Sequence, residues 1–490
     1  MNTDPKTDNH KIVTRFAPSP TGFMHIGSAR TALFSYLFAK KHNGTFILRI
    51  EDTDKKREVA DSISHIKETL TWLNIEWDYG PDKPGPFGSC IQSERLDVYH
   101  RYAKKLVDRG LAYQDPYTAE EIEAFKTQAK EAKKPFLFRN HRPDVLPAWD
   151  KTKPLRLKVP ELKRYTWQDA VRGELSAGEE MLDDIVLIKS DGYPTYNFAH
   201  IVDDFEMGVT HIMRADEFIA STPKFLSIYD ALEIPYPVFV TLPPILRDDR
   251  TKKLGKRDGA KDIFEYRDEG FLPETMVNFL ALTGWNPGTE QEVFTFDDLV
   301  AAFDVTKIQK AGAVFNEEKL LWMNKQHLAK LSDDEVYAYV SKALPDELKV
   351  MAGYSEDILK KLVPTIMERA HIAAEISEAA KAGEYDFAFV TPAYETDILK
   401  WKKDNDVIEA LPRLQKALNL LKEADFSTPD SVKNDLWDYA EEVGRGELLW
   451  PLRVALSGRE RSPDPFTIAY IIGREETLKR ISVACDKIKR

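Results

Sequence analysis

The chain has 490 residues, 43% of them apolar, which is too long for one ordinary core and requires two to four compact domains rather than a small binding module. Its 69 basic and 81 acidic residues leave a formal charge of -12, which excludes indiscriminate binding to a polyanion and confines any nucleic-acid contact to a local basic face. Only two cysteines occur, Cys90 and Cys485, so neither a disulfide framework nor a four-ligand zinc site can be built, and a reducing compartment is expected.

Residues 1–10 mix Asp4 and Asp8 with Lys6 and carry no apolar leader segment. No stretch approaches the roughly 20 apolar residues of a membrane span, so a cytoplasmic protein without a membrane partner is expected. Residues 12–17 read as a short buried strand, broken by Pro18-Ser19-Pro20-Thr21-Gly22, and residues 25–41 then carry apolar side chains at helical spacing. A second apolar run, 46–50, ends in Glu51-Asp52-Thr53-Asp54. Together these predict a βαβ unit with a parallel sheet, whose ligands sit at the carboxyl ends of the strands.

From 111 the pattern changes to mixed helix and short strands, including 155–159 and 185–189, before a second half of the nucleotide fold resumes near Tyr196. After Arg257 it turns helical, with junctions near Pro273, Pro287 and Pro345, and from about Lys330 nearly every segment reads as amphipathic helix. The expected fold is α/β: a Rossmann-type parallel-sheet domain in two halves, 11–110 and 191–257, split by an α+β insertion at 111–190, then helical regions at 258–329 and 330–490. No internal repeat or low-complexity tract occurs.

The strongest local signal is Arg15-Phe-Ala-Pro-Ser-Pro-Thr-Gly22 followed by His25-Ile-Gly-Ser28 at the mouth of the helix. A helix N-terminus offers free N–H groups to an anion, and Gly27 lets a phosphate or purine approach the backbone. Gly22 and Gly27 have P-loop spacing, but Ser28-Ala29-Arg30 stands where that loop needs Lys-Ser/Thr, so the P-loop reading fails. Taken alone, His25 would be a capping or core histidine. A second loop changes that reading: Lys252-Lys253-Leu254-Gly255-Lys256-Arg257 places four cations around a glycine at the end of the second sheet half. Lys253 and Lys256 suit the charge that develops on a transferring phosphoryl group.

The two signatures resemble those of class I aminoacyl-tRNA synthetases, and the segments around them are similar to the glutamyl-tRNA synthetases of bacterial type. The matching stretches are 15–22, 49–54, Lys189-Ser-Asp-Gly-Tyr-Pro-Thr-Tyr196, Val202-Asp203-Asp204 and Lys319-Leu-Leu-Trp-Met-Asn324. The resemblance implies glutamate–tRNA ligase activity: ATP-dependent formation of glutamyl-adenylate, then transfer to the 3′ end of tRNA(Glu) with release of AMP and pyrophosphate. It implies glutamate contacts at Arg15, Ala17, Ser19, Glu51, Tyr196 and Arg214, with Glu51 on the ammonium. ATP, brought as its Mg2+ complex, falls on His25, Gly27, Glu217, Lys253 and Lys256, of which His25, Gly27, Lys253 and Lys256 are the implied catalytic set. A bidentate arginine fits a planar carboxylate, whereas the amide of glutamine presents an N–H₂ edge that guanidinium cannot pair with.

The same resemblance makes 111–190 the acceptor-arm-binding insertion, 258–329 a stem-contact region and 330–490 an anticodon-binding domain of a monomer. Two departures stand out. Gly255 replaces the usual hydroxyl residue of the lysine loop, and Gln114-Asp115-Pro116-Tyr117 stands where many relatives have cysteine ligands, so no structural zinc and no metal site are expected.

Lys126, Lys130, Lys133, Lys134, Arg139 and Arg142 are opposed by Glu131 alone and interleaved with Phe136 and Phe138, a tract suited to RNA by charge and stacking. Its competitor is an ordinary solvated helix face. The tail is enriched in Arg445, Arg453, Arg459, Arg461, Arg474 and Arg480. Three alternatives stay open at this point: an enzyme that also charges tRNA(Gln), a glutaminyl-tRNA synthetase, whose anticodon region would be a β-barrel, and a catalytically inactive tRNA-binding paralogue.

Overall fold

A computed structural model describes residues 11–250, 252–254 and 261–490, which divide into two compact units, one through Leu320 and one from Leu321 onward, the latter with 268–271 added. Lys256, Gly255 and Arg257 lie outside the described residues.

The first unit opens with β1 (Val13–Phe16), α1 (Ile26–Lys41) and β2 (Thr45–Leu48), the two strands pairing in parallel from Val13↔Thr45 to Phe16↔Leu48. All four residues of β2 are buried, as expected of a parallel strand covered on both faces. Helix α2 (Ser62–Trp72) and helix α3 (Leu96–Asp108) follow.

The segment read as the 111–190 insertion feeds two sheets. Strand β3 (Ala112–Gln114), helix α4 (Ala119–Glu131) and strand β4 (Leu155–Leu157) precede the hairpin β5 (Tyr165–Asp169) and β6 (Gly173–Ala177), and strand β7 (Val186–Ile188) closes the segment. β3, β4 and β7 make an antiparallel sheet of their own. The hairpin instead joins the second half of the main sheet. That half comprises α5 (Tyr196–Glu206), β8 (His211–Ala215), α6 (Thr222–Leu232) and β9 (Val238–Leu242), in the strand order β6-β5-β9-β8. Tyr165 and Trp167 alternate inward along β5 and pack in one core with Phe239 and Ile212, which is why the hairpin sits there. Thr210 exchanges hydrogen bonds with Val13, its N–H to Val13 O at 2.9 Å and Val13 N–H to its Oγ1 at 3.0 Å, which sets β8 beside β1. The carboxyl ends of β1, β2, β8 and β9 therefore open on one side.

The basic tract is smaller than its sequence suggests. Phe138 is buried beneath the Arg156 guanidinium, 3.4 Å from the ring centroid. Arg142 pairs with both oxygens of buried Asp184 at 2.5–2.6 Å, and Arg139 donates to the carbonyls of Glu179 and Leu182. Those contacts tie Phe138, Arg139 and Arg142 into the insertion. Exposed Lys130, Lys133 and Lys134 gather at the C-terminal end of α4 and make no ion pair among the described residues.

Beyond β9 come β10 (Ile245–Leu246), α7 (Ile263–Glu269), α8 (Pro273–Leu282), α9 (Phe296–Ala302), β11 (Ala313–Val314) and α10 (Glu317–Leu328). After Val314 the described residues hold no strand: α11 (Asp333–Ala343) through α18 (Pro465–Ile488) build a helical unit around Leu359, Ile376, Leu414, Leu436, Leu452 and Ile481. Gly473, at φ +78°, breaks α18 in its middle, a backbone setting that a side chain would strain. Of the tail arginines, Arg480 is 2% exposed and gives its guanidinium to the carbonyls of Phe387, Leu456 and Val390 and to Glu476, so it is unavailable to RNA. Arg480→Ala leaves three carbonyls without that donor and should lower unfolding stability by about 2–4 kcal/mol in urea titration. A loss below about 0.5 kcal/mol would show that the tie contributes nothing.

Candidate active site

His25 is the N-cap of α1, in extended backbone conformation, and its Nδ1 accepts the Gly27 N–H at 3.1 Å. The ring thus folds over Gly27, where an added Cβ would lie 3.0 Å from His25 Cε1. The capping reading of His25 is realised, and the cap holds the ring at the helix mouth. A cleft of about 430 Å³ opens there. Arg15, Ala17, Ser19, His25, Gly27, Glu51, Tyr196, Arg214, Glu217 and Lys253 all line it, which brings every site residue expected from sequence together except Lys256, which is not described.

Buried charge organises one end of the cleft. Arg15 at the end of β1 donates through Nε to Asp204 Oδ1 at 3.0 Å, and Arg49 just past β2 donates to the same oxygen at 2.7 Å. Arg49 also reaches Glu51 Oε1 at 3.0 Å, the two lying on one face of an extended segment because they are two residues apart. Neighbouring Asp203 takes Arg95 Nε at 2.8 Å, the Tyr99 hydroxyl at 2.7 Å and Gln92 Nε2 at 2.9 Å. Three arginines face three carboxylates, so this buried network is neutral. Asp203, Asp204, His200 and Tyr196 all come from α5, and Tyr196 stacks on His200 with centroids 4.7 Å apart.

Arg214, in β8, stands outside that balance. It is buried, its Nη2 meets only the Thr222 hydroxyl at 2.8 Å, and its guanidinium lies among the rings of Phe239, Phe225 and Phe218 at 4.8–5.7 Å. No carboxylate pairs with it among the described residues. Burial pulls its pKa down to about 10, so it remains a cation at neutral pH. Arg15 Nη2 likewise has no hydrogen-bond partner among the described residues. Burial pushes Glu51 up to about 7 against the opposing pull of Arg49 and Arg15, and it holds His200 down at about 3 and hence neutral.

At the other end, Lys253 pairs with Glu217 across the cleft. Arg30, on the buried side of α1, donates to the carbonyls of Pro243, just after β9, and Thr283, at the end of α8, tying the helix to both. The sequence reading gave no role to Arg49, Asp203, Asp204, Thr222 or Arg95. A usable signal was present: Arg49-x-Glu51 at a strand end, and Tyr196, Asp203 and Asp204 at helical spacing.

A divided parallel sheet with a histidine loop and a lysine loop at its carboxyl edge is the catalytic domain of a class I tRNA synthetase, and residues 11–322 match the family described as "tRNA synthetases class I (E and Q), catalytic domain". Residues 325–485 match an anticodon binding domain. Over 98% of its length the chain is 39% identical to a glutamate–tRNA ligase of Clostridium acetobutylicum, 99% of which is covered. It is 40% identical to that of Clostridium kluyveri, with 98% of each covered. A solved glutamate tRNA ligase from Elizabethkingia meningosepticum in complex with its amino acid matches with a TM-score of 0.86 at 33% identity, over 98% of this chain and 100% of that one. The chain belongs to the glutamate–tRNA ligase family.

Asp204→Asn keeps the shape of the network but removes the charge that Arg15 and Arg49 share, leaving buried cations uncompensated. The expected loss is about 3 kcal/mol, read by thermal unfolding, with weakened glutamate binding in calorimetry. Unchanged stability and affinity together would contradict the network as described.

Proposed function

We propose that the cleft binds L-glutamate at its charged end and MgATP at the mouth of α1, and forms glutamyl-adenylate between them. As a member of the glutamate–tRNA ligase family, the chain then esterifies glutamate to tRNA. The observation that carries the reading is one buried cation, Arg214, without a carboxylate partner among the described residues, beside a network in which Glu51 and the other charges balance. A ligand with one ammonium and two carboxylates carries a net single negative charge and balances that cation, with its ammonium beside Glu51.

In this reading Glu51 holds the substrate ammonium, while Arg15 and Arg214 take carboxylate oxygens with Ala17, Ser19 and Tyr196 around them. Glutamine is disfavoured because its N–H₂ edge would face guanidinium donors, leaving buried donors unpaired. His25 and Gly27 hold ATP against the helix terminus, and Lys253 exchanges Glu217 for the phosphates, with Lys256 as its companion. Lys130, Lys133 and Lys134 offer phosphate contacts to the acceptor arm of tRNA(Glu).

We take the protein as a monomer working in the cytoplasm, where tRNA and ATP reside. No helix among the described residues is long and apolar enough to cross a membrane. Whether tRNA(Gln) is also charged is decided by the same assay that tests the whole reading. The purified protein should charge tRNA(Glu) with glutamate, and Arg214→Leu should lose at least about 10²-fold in kcat/KM for glutamate, because a desolvated charge partner is worth roughly 2–5 kcal/mol. Equal charging by this variant would remove Arg214 from the glutamate site, and charging with glutamine would overturn the specificity.

Because burial raises Glu51 to about 7, and the ammonium requires its ionised form, binding below that pH must first drive the proton off. Glutamate affinity should therefore weaken by up to about tenfold per pH unit as pH falls below about 7, and level off above it. Calorimetry in two buffers of different ionisation enthalpy should show proton release on binding near neutral pH. Affinity independent of pH from about 5.5 to 8 would exclude Glu51 as the ammonium partner.

A further inference from the structure

The N-terminal end of α2 clasps the loop that carries His25. Ser62 Oγ donates to Gly22 O at 2.9 Å, Val59 N–H donates to Pro20 O at 2.9 Å, and Met24 N–H donates to His65 Nδ1 at 3.3 Å. The His65 ring stacks on Phe23 with centroids 4.6 Å apart and 25° between planes, and leans on Phe264 at 4.4 Å. Since Nδ1 accepts a hydrogen bond, the ring proton sits on Nε2, which donates to Asp262 Oδ1 at 2.9 Å.

Asp262 follows the lysine loop in sequence, six residues after Lys256. Its backbone bridges antiparallel to His25 itself, and the next residue, Ile263, donates its N–H to Met24 O at 3.2 Å. The same Asp262 oxygen accepts the Phe264 N–H at 2.8 Å, which starts α7. One imidazole therefore touches both the loop before His25 and the segment leaving the lysine loop, although the two are nearly 200 positions apart (|i−j| = 197 for His65 and Asp262). Neither His65 nor Asp262 lines the cleft.

We propose that His65 and Asp262 are positioning residues for adenylate formation: their hydrogen bond pins the histidine loop to the segment after the lysine loop and so sets where His25 sits. This rests on the reading that the two loops hold ATP between them. A displacement of about 1 Å at reacting groups costs up to about 10²-fold in rate, whereas the glutamate end is anchored separately through α5 and the ends of β1, β2 and β8. Loss of the pin should therefore appear in kcat and spare KM for glutamate.

The test is ATP–pyrophosphate exchange with glutamate and tRNA present, run on wild type, His65→Ala, Asp262→Ala, the double variant and His65→Gln. Each alanine variant should lose about 10–100-fold in kcat with KM for glutamate unchanged, and the double should be no worse than either single, since both remove one contact. His65→Gln, whose amide N–H₂ can reach Asp262, should recover most of the rate. A merely structural histidine predicts instead lowered stability with normal kcat in the folded fraction. Should His65→Ala not fold, Asp262→Ala carries the test, because that side chain is 20% exposed and at the edge of the cluster. Full kcat in Asp262→Ala, or losses that add in the double variant, would overturn the pin alone. An inactive wild type would overturn the proposed function and the pin with it.

Discussion

Asp204 shares one carboxylate oxygen between two arginines, and the catalytic unit is arranged around that contact. Taking Arg15, Arg49 and Arg95 out of water would cost several kcal/mol each unless every charge met a partner with good geometry. The partners come from α5 and from the end of β2, so the charge requirement forces the two halves of the sheet to meet across the insertion. Neutrality inside the network has a second consequence. Arg214, buried but outside it, keeps its charge with no carboxylate partner among the described residues, and Glu51 sits at the network's edge where burial opposes its ionisation. The cleft is thus neutral within its buried network and carries one excess cation at its lining.

The cleft's two ends are built by different means. The charged end is made of side chains locked by ion pairs and aromatic packing, whereas the end at the mouth of α1 presents backbone: a helix terminus capped by its own histidine, a glycine whose Cβ would crowd that ring, and Pro243 tied to Arg30. A preorganised charged pocket suits a small rigid substrate, and exposed backbone donors suit a polyphosphate. The pairing of Lys253 with Glu217 shows the same economy, because each of these two groups lining the cleft satisfies the other's charge.

Local pattern and contiguous motifs made much of the protein legible in advance. The opening βαβ unit, the helical second half and the family resemblance followed from periodicities of two and 3.6 residues and from motif strings unbroken along the chain. Nearly all the site residues expected from those strings share one cleft. Sequence reading went astray where a side chain's role depends on what faces it. Phe138 looked like part of an RNA surface and is interior, Arg142 is bound to the buried Asp184, and Arg480 looked like tail charge and is a core tie. The hairpin 165–177 looked like part of the insertion and extends the main sheet, because its apolar face matches β9 and α6 rather than β4.

What the sequence by itself determined, then, was the class of fold, the order of its parts and the identity of the chemical groups, since each is written in neighbouring residues. The tertiary structure alone decided which of the many arginines are spent on carboxylates inside the protein and which is left for a ligand. Arg15 and Asp204 stand 189 positions apart and His65 and Asp262 197 apart, and no local pattern encodes such a meeting. It follows from packing, where the cost of an unpaired buried charge selects one arrangement out of all that the sequence would allow.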